Sequence, residues 1–233
     1  MHDFKDARLD IIIGTMFSGK TTYLLSEISK LTQLNYKILY LNIDFDDRSD
    51  NFFSTHNPLF DKHFNFNNNV IMLKSKNLLN INILPYDIIM IDEAHFFNDL
   101  IEFTNSCLDQ KKYVIVAGLQ ADFAGRKFGK ILDLIPICTD IKRLHAYCAE
   151  CAKDKYCRIA IYSKKIVKSD ELMPGTCAEE MRQIPDIGGA DKYIPVCHEH
   201  YNDKKINNLN NSDILNSINE FHKLLEENLD LNL

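Results

Sequence analysis

Residues 14–21 read Gly14-Thr15-Met16-Phe17-Ser18-Gly19-Lys20-Thr21, a match to G-x-x-x-x-G-K-[ST], and the reading of this octapeptide decides the fold. Upstream lies a short apolar run, Asp10-Ile11-Ile12-Ile13. Downstream, Tyr23, Leu24, Leu25, Ile28 and Leu31 recur at helical spacing. Strand, glycine-containing loop and helix in that order are the context the pattern needs. The chemistry accounts for the residue types. Successive backbone N–H groups of Gly14 to Gly19 can wrap a phosphate, the positive end of the following helix faces it, and Lys20 adds a point charge. Thr21 offers a hydroxyl to Mg²⁺.

Working outward, further β-rich runs occur at 38–43, 70–73, 88–91 and 113–119, separated by helical or polar stretches, which predicts a parallel α/β sheet. The run at 88–93, Ile-Ile-Met-Ile-Asp-Glu, is a buried strand ending in two carboxylates. Asp92 suits Mg²⁺ there, and Glu93 suits a general base facing an incoming hydroxyl. The alternative for Glu93 is a cap on the next helix. The Asn-rich stretch 44–69, with scattered Phe, reads as a loop near the site.

Composition narrows the function. The chain has 233 residues, 45% of them hydrophobic and 26% charged, which suits one core plus a small appended unit. A formal net charge of −6 and the lack of any Lys/Arg-rich block argue against nucleic acid as a partner. No apolar run reaches the roughly 18 residues that span a bilayer, and the first residues carry no targeting pattern, so no membrane and a cytoplasmic location are expected.

Beyond Asp140 the pattern changes to short segments with paired Cys and His. We expect a P-loop domain over 1–140, a small lobe over 141–203, and a tail over 204–233 whose Ile214, Leu215, Ile218, Phe221, Leu224 and Leu225 mark an amphipathic helix. Seven cysteines with a Cys-x-x-Cys pair favour metal over a disulfide framework. Cys148-x-x-Cys151 and Cys197-x-x-His200 supply four soft or borderline ligands for a structural Zn²⁺. His198 competes for the fourth corner, but the x-x spacing favours His200.

Taken together, GTMFSGKTT, DDR followed by STHN, DEAHFF, VAGLQADFAGRKFG, CAEC and IGGADKYIPVCHEHY resemble the thymidine kinases of the tetrameric, zinc-containing type found in animals, bacteria and large DNA viruses. The stretches run in the family's order from residue 10 to about 201. The resemblance implies a RecA-like P-loop sheet with a zinc-bound, lasso-type lobe, and transfer of a phosphoryl group from ATP to the 5′-hydroxyl of thymidine, and it leaves open whether deoxyuridine is also accepted. It places Glu93 as the base. Asp46, Asp47, Arg48 and His95 join the phosphate loop and Asp92 around ATP. Phe96, Phe123 and Phe128 fall beside the nucleoside. Met16, Leu119, Ser163 and Tyr193 fall around the thymine methyl, and Ile184, Pro185, Asp186, Ile187 and Gly188 form a loop that holds the base through main-chain groups. The resemblance further implies a homotetramer inhibited by thymidine triphosphate.

The chain departs from that pattern in three places. His95 stands where the family usually has Gln, and the stretches 152–160 and 165–183 are longer than usual. DEAH also occurs in nucleic-acid helicases, which couple two such domains and expose basic strand-binding surface. An acidic chain with room for one P-loop domain does not suit that reading.

Overall fold

The computed structural model describes residues 6–44, 68–166 and 192–202. Asp46, Asp47, Arg48, the base-binding loop Ile184–Gly188 and the expected tail helix lie outside the described residues. The described residues form two compact units. One comprises those up to Asp122 together with Arg126–His145, and the other comprises Phe123–Gly125 and those from Ala146 onward.

In the first unit, β1 (Arg8–Gly14) runs through the phosphate loop into α1 (Lys20–Thr32), then β2 (Ile38–Ile43), β3 (Val70–Ser75), β4 (Ile88–Ile91), α2 (Leu100–Asp109), β5 (Tyr113–Leu119) and β6 (Asp140–Leu144). The strands form one parallel sheet in the order β3-β2-β4-β5-β1-β6. Aliphatic residues saturate the central strands because both faces are covered. On one face Ile12, Tyr40, Met90, Ile115 and Ala117 pack with Leu24, Leu25 and Ile28 of α1. On the other, Ile11, Leu39, Leu41, Ile89, Val114 and Val116 pack with Leu100 and Phe103 of α2 and with Ile131 and Leu134 of a 3₁₀ segment, Ile131–Ile137.

Strand parity sets the chemistry. Asp92 follows Met90 by two residues and so points to the α1 face, where Thr21 stands. β6 carries no hydrophobic periodicity, and the change of sequence character at 140 falls on its first residue. Asp-Ile-Lys-Arg-Leu is polar and mostly exposed because it is an edge strand, pairing with β1 alone among the described strands.

The second unit is built from short pieces. β7 (Ala146–Tyr147) pairs with β8 (Ile159–Ala160), and α3 (Ala149–Lys153) lies between them in sequence. β9 (Tyr162–Lys165) pairs antiparallel with β10 (Tyr193–Val196), which leads into α4 (His198–Asn202). Among the described residues no helix is long and apolar enough to cross a membrane.

Candidate functional site

The loop after β1 is shaped by its own backbone. Gly19, at the N-terminus of α1, has φ 82°, and Phe17 has φ 61°. Left-handed φ is free for glycine and strained for phenylalanine, so the loop holds a conformation that an unconstrained chain would avoid. The Ser18 hydroxyl and the Lys20 ammonium each donate to the Thr15 carbonyl at 2.8 Å. Lys20 is buried, and burial lowers its pKa against the opposing pull of the Glu93 and Asp92 carboxylates.

Asp92 is fully buried and well supplied with donors. Thr21 Oγ1 and Tyr40 Oη each donate to Asp92 Oδ2 at 2.7 Å, and the Glu93 backbone N–H donates to Oδ1 at 2.9 Å. Burial, followed by the facing Asp92 charge, pushes the Tyr40 phenol well above its usual pKa, so it stays a donor. Tyr40 was missed in the sequence reading. The signal was present, since one hydroxyl-bearing aromatic interrupts the otherwise aliphatic centre of β2.

Glu93 has φ 50° and ψ 36° and leads into a 3₁₀ turn, Ala94–Phe96. Its side chain makes no capping hydrogen bond to that turn, so the capping alternative is not what holds it. The carboxyl is about a quarter exposed. Burial, reinforced by the adjacent Asp92 carboxylate and opposed by Lys20, pushes its pKa up to about 7, the range in which a carboxylate can both accept and release a proton near neutrality. A left-handed non-glycine residue at a strand end is the kind of strained position found at functional sites.

His95 packs in the same turn, its ring centroid 4.1 Å from that of Phe96 and 4.5 Å from that of Phe128. Phe96 and Phe128 meet edge-to-face at 5.5 Å. Leu119 ends β5, and its N–H donates to His95 Nδ1 at 3.1 Å. Met16 is half-buried in the phosphate loop.

In the second unit Phe123 lies 6.5 Å from Tyr193 between ring centroids, with the Lys165 ammonium 5.5 Å from the Phe123 ring. Ser163 is buried in β9, opposite Pro195 of β10. Tyr201 and Tyr162, neither singled out from the sequence, stack at 4.0 Å, and Tyr201 Oη donates to the Phe123 carbonyl at 3.0 Å.

Cys148, Cys151, Cys197 and His200 converge so that their ligand atoms all lie within 4.8 Å of one another. His200 Nδ1 is 3.4 Å from each of the three sulfurs, and the Cys151 and Cys197 sulfurs are 4.0 Å apart. A tetrahedron with metal–sulfur bonds near 2.3 Å and a metal–nitrogen bond near 2.0 Å has sulfur–sulfur edges of about 3.8 Å and sulfur–nitrogen edges of about 3.5 Å. The donor set therefore fits zinc in both type and spacing. His198 points elsewhere, its Nδ1 lying 3.1 Å from Tyr162 Oη.

A six-stranded parallel sheet, a Gly-Lys-Thr loop opening the first helix and an acid pair at the end of β4 define the class: a P-loop nucleotide-binding α/β protein. A family model described as thymidine kinase matches residues 7–201. The chain is 38% identical over 198 residues to the thymidine kinase of Amsacta moorei entomopoxvirus, covering 83% of this chain and 97% of that one. It is 33% identical over 195 residues to that of Sheeppox virus, covering 83% and 96%, and 32% identical over 196 residues to the cytosolic thymidine kinase of Homo sapiens, covering 83% and 73%. The chain belongs to the thymidine kinase family.

Proposed function

We propose that this protein transfers the γ-phosphoryl group of ATP to the 5′-hydroxyl of thymidine, with deoxyuridine as a second acceptor, giving thymidine monophosphate and ADP. The observation that carries the reading is Glu93: a strained, partly exposed carboxyl with a pKa raised to about 7, beside the phosphate loop's Lys20 and Asp92. Glu93 takes the proton as the 5′-oxygen attacks phosphorus and the bond to the ADP oxygen breaks. Lys20 and the backbone of Gly14–Gly19 hold the phosphates, and Arg48 offsets charge on the transferring group.

Thr21 and Asp92, already joined at 2.7 Å beside the loop, are the hard oxygen donors suited to Mg²⁺ with ATP. The cation would neutralise phosphate charge when bound. The same reading assigns the nucleoside to Phe96, Phe123 and Phe128, and recognition of the base to Met16, Leu119, Ser163, Tyr193 and Ile184–Gly188. Zinc on Cys148, Cys151, Cys197 and His200 would fix the lobe over 141–203. Four protein ligands leave no open position, which assigns a structural role.

The same reading includes a homotetramer inhibited by thymidine triphosphate and a cytoplasmic location; the similarity to family members named as cytosolic supports the latter. The test is ATP consumption measured with thymidine, with single-stranded DNA and with neither. Stimulation by thymidine alone is expected. Stimulation by DNA alone would replace the kinase reading with a motor ATPase.

A further inference from the structure

The side chain at position 95 is tightly enclosed. Its ring sits on Gly118 of β5, where an added Cβ would come within 3.1 Å of His95 Nδ1. A side chain on Gly129, which has φ 61°, would collide with the His95 backbone carbonyl. Phe96 and Phe128 close two further sides. Gly118 and the two aromatic rings thus pack against the imidazole while Gly129 makes room for its backbone, and in the resulting orientation the residue is 3% exposed.

That orientation has a consequence for its protons. Nδ1 receives the Leu119 N–H, so it must be the unprotonated nitrogen of a neutral ring, and the proton resides on Nε2. Among the described residues the buried Nε2 has no hydrogen-bond partner, and Glu93 Oε2 lies 3.7 Å from it. This is about 0.7 Å longer than an ordinary N–H···O contact, and such contacts tighten when substrate closes a site. Among the described residues, the charged groups acting on the ring are Glu93 and Lys20. Burial first, and the Lys20 charge second, keep the imidazole neutral by lowering its pKa well below the usual value.

We infer that His95 is a positioning residue for Glu93: the Leu119 backbone N–H fixes its tautomer, and its Nε2–H is delivered to the Glu93 carboxylate as that side chain meets the substrate hydroxyl. A donor aimed at one carboxylate oxygen leaves the other free to accept the hydroxyl proton and selects one Glu93 rotamer. Glutamine satisfies the same two demands, with its carbonyl toward Leu119 N–H and its amide toward Glu93. Phenylalanine keeps the ring volume and satisfies neither.

The inference rests on Glu93 as base, so two independent readouts are needed. In steady-state kinetics, His95→Phe lowers kcat about tenfold or more while KM for ATP and thymidine stays within about twofold, and His95→Gln recovers most of the loss. A merely structural role would move KM or thermal stability without a kcat-selective loss. The second readout needs no activity: nitrogen-15 spectra of histidine-labelled protein show His95 as the Nε2–H tautomer, and its Nε2 resonance moves in Glu93→Gln. Wild-type protein inactive with thymidine, but with that tautomer and that coupling, would sink the kinase reading and leave the positioning role standing. Unchanged kcat in His95→Phe, or an Nδ1–H tautomer, would overturn the positioning role itself.

Discussion

Tyr40 of β2 and Asp92, the residue that follows the neighbouring strand β4, are joined by a 2.7 Å hydrogen bond from the phenol to Oδ2, buried against α1. A hydrogen bond to a buried carboxylate contributes about 1.5–3 kcal/mol. Tyr40→Phe should therefore lower stability by about that much. Urea unfolding is the measurement. An unchanged midpoint and slope would mean that Asp92 finds another donor on its own.

Glu93 and Lys20 lie together but should separate in kinetics. Glu93→Gln keeps the fold and ATP binding and lowers kcat about 10²–10⁴-fold, because only the transition state uses the proton transfer. Lys20→Ala weakens ATP binding itself. Calorimetric titration with ATP beside turnover assays checks both. Equal nucleotide affinity in the two variants would refute this division of roles.

The neutral imidazole of His95 makes stability depend on pH with a definite sign. Its folded pKa lies well below the unfolded value near 6.5, so between those values the unfolded chain binds more protons. Its contribution is present above about 6.5 and is lost as pH falls below that. Glu93 works the other way: raised to about 7 in the folded state, it costs stability as pH rises from about 4.5 toward 7. Comparing wild type with His95→Gln isolates the first effect. Measured from pH 5 to 8, the unfolding free energy of wild type should fall relative to that of the variant as pH drops below about 6.5, and parallel curves would contradict the buried neutral ring.

Zinc removal should act on the lobe and spare the phosphate loop. Cys148→Ala is expected to lose about one zinc per chain and most thymidine affinity, while ATP still binds, because the short elements β7 to β10 hold too little apolar surface to stand alone. Elemental analysis beside thymidine and ATP titrations provides the check. Full thymidine affinity in zinc-free protein would show that the lobe is held in another way.

Five strands are legible in the sequence, since 10–13, 38–43, 70–73, 88–91 and 113–119 are apolar runs that a doubly covered parallel sheet demands. The phosphate loop was legible because its function constrains consecutive residues. The metal cluster was legible because two x-x-spaced pairs already fix half of each ligand geometry, and the structure brings those same four residues together. β6 was not. An edge strand carries polar residues for reasons of pairing and solvation, and hydrophobic periodicity is silent there.

What the sequence by itself determined, then, is whatever local covalent spacing controls: the loop that can cradle a phosphate, the acid pair at a strand end, the cysteine pairs and the alternation that buries the sheet. Tertiary structure decided the relationships between residues distant along the chain. It brought Tyr40 to Asp92, set Gly118 and Gly129 around His95, and aimed Leu119 N–H at His95 Nδ1, which leaves the other imidazole nitrogen turned toward nearby Glu93. The physical reason is that a hydrogen-bond donor takes its meaning from what faces it across about 3 Å, and spacing along a chain cannot state what packing places there.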